Sequence, residues 1–256
     1  MKKILLLILF GFSLFGFYDN EENNKTIHIF VALCDNENQG IVPVPSKLGN
    51  GKDPKNNLYW GALYGVKTYF KNSKDWTLVK SLKSDNPKIL ERLLFKHKTS
   101  DTYLLADAYD GEFIKQTTID FLEATAGRND VVISHNSYNL NFGGKSALLA
   151  YVGHDGLMDF NVEGNFTPIN KVKREAIVLA CVSKNYFKPY FEKTKVNPLV
   201  WTTGLMAPEA YTLKSAIDGW ILNENDNQIV ERAAQAYNKY QKCGIKGARR
   251  LLVTGY

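Results

Sequence analysis

The chain has 256 residues, 45% of them apolar and 12% aromatic. That is enough apolar side chain for one large domain or two small ones, and it excludes a disordered chain. The formal charge is +6, or +4 without Lys2 and Lys3, and the cations are dispersed, so charge gives no reason to expect nucleic-acid binding.

In chain order, Lys2 and Lys3 precede an apolar stretch from Ile4 to Phe17, after which polarity rises abruptly. Two cations and a short apolar run are the anatomy of a secretory signal, too short for a comfortable membrane span. Residues 1–19 are therefore expected to be a signal peptide or N-terminal anchor of an exported protein, with no further membrane segment. No cysteine follows the run, which excludes a lipoprotein anchor on this reading. Residues 20–25 read as a linker and 26–256 as one α/β domain.

Residues 26–34, TIHIFVALC, form an apolar, β-branched run that predicts a buried strand. A loop rich in Asn, Gly and Pro follows to residue 57. Helical spacing is expected over 58–70, a strand over 76–82, and a helix over 88–97 with Pro87 in its first turn. A strand and its turn over 102–111 lead to an amphipathic helix over 113–127, stopped by Gly127. VVISHNS (131–137) reads as a short strand and NLNFGGKS (139–146) as a loop. SALLAYVG (146–153) and EAIVLACV (175–182) are the strongest buried-strand candidates, and PLVWTTGLM (198–206) is a third after the aromatic segment 185–191. Helices are expected over 209–222 and 227–244, while 245–256 fits either state.

Near-continuous apolar strands alternating with helices predict a mostly parallel sheet covered by helices on both faces. In such sheets chemistry collects beyond the C-terminal strand ends. His154 follows one apolar run and Cys181 ends the next, 27 residues on. A right-handed crossover would make those strands parallel, with both ends on one edge. A histidine beside a cysteine supplies what a thiol nucleophile needs, a base and then a proton donor for the leaving amine.

An apolar strand ending in His with Gly close behind, then one ending in Ala-Cys, resembles the caspase-like cysteine peptidases, which include caspases, legumains, gingipains and CHAT domains. The resemblance implies a caspase–haemoglobinase-like three-layer sandwich and an endopeptidase acting on peptide or protein without a cofactor or metal. His154 would be the acid/base and Cys181 the nucleophile, with the amides of Asp155, Gly156 and Cys181 as oxyanion donors. Asp35, after the first strand, would help shape the specificity pocket, and Trp201 would line a substrate pocket. The chain reads His-Asp-Gly where the family usually has Gly directly after His, and Cys181 is followed by Val182 and Ser183.

The same residues have plainer readings. Cys181 can be a small buried hydrophobe, His154 a satisfied strand-end histidine, Trp201 a core residue, and Asp155 and Asp159 turn formers. A catalytically silent peptide- or protein-binding member, or a periplasmic binding protein for a small ligand, is the alternative function. His154-Asp155 also invites comparison with metal phosphohydrolases. Their ligands sit on helices, however, and only His28, His97 and His135 remain as further histidines. No HExxH, paired CxxC, P-loop or GxSxG is present. Three cysteines fit one bridge and one free thiol, or no bridge. With Cys181 kept free, Cys34 and Cys243 are the remaining pair. Oligomeric state is not legible.

Overall fold

A computed structural model describes residues 25–256. The leader and nearly all of the linker expected at the N-terminus lie outside them. Eight strands form one sheet in the spatial order β10-β9-β8-β7-β1-β4-β3-β2. Its middle is the parallel run β1 (Lys25–Ala32), β4 (Thr102–Tyr109), β7 (Leu148–Val152), β8 (Glu175–Leu179) and β9 (Asn197–Thr202). β2 (Trp76–Leu82) and β3 (Ile89–His97) extend one side antiparallel, and the two-residue β10 (Leu252–Val253) closes the other. β5 (Val131–His135) and β6 (Tyr138–Phe142) form a separate hairpin turning at Asn136, whose φ of 52° suits an Asn.

The central strands are buried on both faces, which explains their unbroken apolar sequence. Alternate residues divide into two cores. Leu148, Ala150 and Val152 of β7, with Ile177 and Leu179 of β8, pack with residues of α1 (Val66–Lys71), α4 (Ala210–Ile221) and α5 (Asp226–Gln241). Leu149, Tyr151, Ala176 and Val178 face α2 (Ile114–Thr125) and α3 (Ser183–Thr194). The last helix, α6 (Ile245–Leu251), leads into β10. A mostly parallel sheet with helices on both faces is thus the architecture.

Three local expectations are corrected. Residues 89–97 are strand β3, not a helix: Leu, Glu, Arg and Lys favour helix, but β3 hydrogen bonds to both β2 and β4 and buries Leu93, Leu94 and Phe95. The helix expected over 58–70 is confined to Val66–Lys71, because residues 58–65 wind through turns closed by bonds such as Ala62 N to Asn57 O. The loop expected over 139–146 contains most of β6. The aromatic segment lies in α3 although Pro189 sits inside that helix. The Cys34–Cys243 pairing is also overturned: all three cysteines are free, Cys34 buried and Cys243 exposed.

The first parallel strand, β1, has the next one, β4, on one side and β7 on the other. The winding therefore reverses between β1 and β7. Crevices beyond the C-terminal ends of strands at such a reversal are where doubly wound sheets bind ligands.

Candidate functional site

The β7–β8 register pairs Val152 with Leu179, and Gly153 N continues the ladder to Leu179 O at 3.2 Å. His154 and Cys181 each lie two residues beyond that last rung. Neighbouring strands run about 5 Å apart, so the two residues leave the sheet side by side on one edge.

Residues 154–160 form a tight turn around a short 3-10 segment, Gly156–Met158. The Asp155 carboxylate caps it, Oδ1 accepting from Leu157 N at 3.1 Å. Tyr151 donates its hydroxyl to His154 O at 2.8 Å. Asp159 closes the turn by accepting from His154 Nε2 at 2.6 Å, with the histidine side chain only 7% exposed. A carboxylate on Nε2 fixes the ring and leaves Nδ1 as the free basic nitrogen. The first amides of the 3-10 segment precede its first internal bond, Met158 N to Asp155 O, so the N–H groups of Asp155 and Gly156 receive no partner from the turn.

Cys181 sits between the end of β8 and the N-terminus of α3. Val182, the next residue, is left-handed at φ 51°, ψ 26°, a conformation that β-branched residues rarely take. Three bonds enforce this sharp strand-to-helix turn. Val182 N donates to Gly204 O at 2.9 Å, Ser183 N to Thr202 Oγ1 at 3.1 Å, and Thr202 Oγ1 to Ala180 O. Cys181 is half-buried and immediately precedes the N-cap of α3. Sγ itself contacts the backbone of Met206, accepting from its N at 3.4 Å and donating to its O at 3.6 Å. No hydrogen bond joins His154 to Cys181.

Asp35, proposed to shape a specificity pocket, is spent on its own loop. Its carboxylate accepts from the amides of Glu37 and Asn38 and from the Asn38 side chain, and it is 4% exposed. Trp201 is fully buried, stacked on Phe191 and edge-on to Tyr256, so of its two readings the core residue holds. Asp155 is wholly buried, so its side chain does not lie across the site.

Sequence reasoning took Asp159 for a turn former and missed its bond to the imidazole. The signal was present as a carboxylate five residues after His154, but a turn is needed to bring the two together. Tyr59 was missed as well. It is buried beside Cys34, within electrostatic reach of Cys181, and burial holds its phenol well above the ordinary range. Burial likewise pushes the Cys34 thiol up to about 11, although Tyr59 donates to it, which makes this cysteine an inert packing group.

A second polar cluster lies on the sheet itself. Asp107 receives Arg92 through Nε and Nη2, both at 2.6 Å, and His28 Nε2 at 2.9 Å, while His28 Nδ1 accepts from Gly143 N at 3.1 Å. Every polar atom of Asp107 and His28 is occupied within the fold, so the cluster reads as a structural ion pair. Among the described residues no group of His, Cys, Asp and Glu is arranged to hold a metal ion, and no helix is long and apolar enough to cross a membrane.

Fold and site together define an α/β protein with a carboxylate-held histidine and a half-buried cysteine at the ends of adjacent parallel strands. No family model, curated protein or solved structure matches the chain.

Proposed function

We propose that the protein is a cysteine endopeptidase of caspase-like type, in which His154 and Cys181 form a dyad and Asp159 orients the histidine. The observation that carries the reading is the shared edge of β7 and β8, in register, with the imidazole held through Nε2 and Cys181 in the turn that enters α3. His154 Nδ1 accepts the thiol proton, and the thiolate attacks the scissile carbonyl carbon. The resulting oxyanion is received by the backbone amides at residues 155 and 156 and by that of Cys181. The imidazolium returns its proton to the leaving amine as the C–N bond breaks, giving a thioester at Cys181. Water, deprotonated by His154, then releases the acid and frees the thiol.

The contact between Sγ and Met206 supports a second reading, a silent peptide-binding member whose sulfur is only a packing group. Apo geometry in such dyads is often loose, so the contact does not by itself rule the dyad out. The deciding test is alkylation of Cys181 against pH, with Cys34→Ser and Cys243→Ser so that one thiol reports. Fast reaction well below pH ~8.5, the ordinary thiol value, that His154→Ala abolishes supports the dyad. Slow reaction indifferent to His154 leaves the binding reading.

A further inference from the structure

Asp155 is wholly buried, and only one of its carboxylate oxygens is used. Oδ1 caps Leu157 N, while Oδ2 has no hydrogen-bond partner. A buried, half-solvated carboxylate is costly, and one next to another carboxylate is costlier. Asp159, four residues on, supplies that second charge and is itself tied to His154.

The titratable groups around the turn are few. His154 and Asp159 lie within it, and Tyr151 comes from β7. Lys115 of α2 sits 5.7 Å from the Phe160 ring, and Tyr190 of α3 reaches Val162. None of them bonds to Oδ2. The ring of Phe160 and the tip of Ile114 close over Gly156, where an added Cβ would come within 2.4 Å of Phe160 Cζ. The turn is thus tightly packed at the residue after Asp155, and His154 directly precedes it.

We propose that Asp155 is a positioning residue whose uncharged form holds the His154 turn closed, so that ionising it releases the histidine from Asp159. The inference rests on the dyad reading above. Burial first, and repulsion from Asp159, push the Asp155 carboxyl up to about 7 against the Leu157 amide bond. The unfolded chain gives up this proton near the ordinary carboxylate value, so the folded state is favoured by it below that value. The advantage is lost as the pH rises to about 7. The site is thereby tuned to acidic and neutral conditions.

The test uses the full chain carrying Cys34→Ser and Cys243→Ser, with the iodoacetamide reaction at Cys181 and Tm both followed from pH 5 to 9. In the parent, the part of the rate that depends on His154, taken as the difference from His154→Ala, falls several-fold above pH about 7. Asp155→Asn, which keeps an acceptor for Leu157 N and cannot ionise, retains it to higher pH and raises Tm at pH 9 by roughly several degrees. Asp155→Ser, also a capping residue, serves if the amide disturbs folding. Identical rate and Tm profiles in the parent and both variants overturn the proposal. If no His154-dependent rate exists at any pH, the dyad fails, while the difference in Tm profiles still decides whether Asp155 is the titrating group.

Discussion

Gly153 lies against Ala32 so closely that a Cβ added to it would sit 2.9 Å from Ala32 O and 3.0 Å from Ala32 Cβ. Its φ of 153° is also one that side chains disfavour. The strand carrying His154 is thus pressed onto β1 at the last residue before the site, where the backbone turns out of the sheet. Gly153→Ala must push β7 and β1 apart or twist the turn. We expect a stability loss of about 1–3 kcal/mol in denaturant unfolding. The His154-dependent alkylation of Cys181 should also be lost, while a thiol-independent probe such as far-ultraviolet dichroism shows the fold intact. An unchanged alkylation profile would mean that this close approach plays no part in placing the histidine.

The His154–Asp159 bond predicts a graded response. Asp159→Asn keeps a hydrogen-bonding group but loses the charge that stabilises an imidazolium, and it can present its amide to the wrong nitrogen. Asp159→Ala removes both. Peptidase turnover, or failing that the His154-dependent alkylation rate, should fall at least about tenfold in the first and further in the second, within the roughly 10²–10⁴-fold that general acid–base groups contribute. Stability should change little, because Asp159 is 40% exposed at its side chain.

These two residues also mark what sequence could and could not reveal. His154 and Cys181 were legible because apolar strands rarely run straight into such groups, and the parallel sheet then placed both on one edge. Asp159 was illegible as an orienting group because its bond depends on a 3-10 turn capped by the Asp155 side chain, not on any helix or strand period. The strand β3 was hidden for another reason. ILERLLFKH has helix-forming residues throughout, and only the neighbouring β2 and β4 decide its state. Residues 185–191 carried no assignment, and they lie in α3 with Pro189 inside it, where surrounding packing outweighs the lost bond. Asp35 showed the opposite error, in which a place after the first strand suggested a pocket and the loop consumed the side chain, whereas Trp201 took the core reading already open to it.

The Arg92–Asp107–His28 cluster makes a prediction about stability and pH. Burial would raise the Asp107 carboxyl, but two bonds from Arg92 and the pull of His28 win and hold it below the ordinary range. Burial dominates at His28 and lowers its pKa despite Asp107. Both shifts have the same sign in linkage. The folded state binds fewer of these protons than the unfolded chain, so the stability they add is present at neutral pH. It is lost as pH falls, first below about 6.5 as histidine in the unfolded chain protonates, and again below about 4. Arg92→Ala, which strands a buried charge, should cost roughly 3–5 kcal/mol. Arg92→Met combined with Asp107→Asn should cost clearly less, because the Asn can still meet His28. Urea titrations of the three proteins at pH 7.5 and 5 check both claims. A single variant no worse than the double would remove the ion pair from the account.

Among the described residues Val182 carries the clearest backbone strain, as the one β-branched residue with a left-handed φ, and it lies directly after Cys181. Its left-handed backbone is imposed from outside, by Gly204 O on its own N–H and by Thr202 fixing the residues on either side. Strain held in place by neighbouring bonds is common where a chain must present a reactive group at a sharp turn. Val182→Gly relieves the steric cost of the left-handed state, about 1–2 kcal/mol, and loses part of that gain to the greater freedom of Gly in the unfolded chain. The net expectation is a stabilisation of up to about 1 kcal/mol at equilibrium, with a Tm higher by roughly 2–4 °C. The turn itself should be held less rigidly, so the thiol's alkylation rate should become less dependent on His154 even as the protein grows more stable. A variant that is both more stable and fully His154-dependent would show that the bonds from Gly204 and Thr202 place the sulfur without help from the valine. A destabilised variant would mean that the Val182 side chain contributes more by packing than its backbone costs.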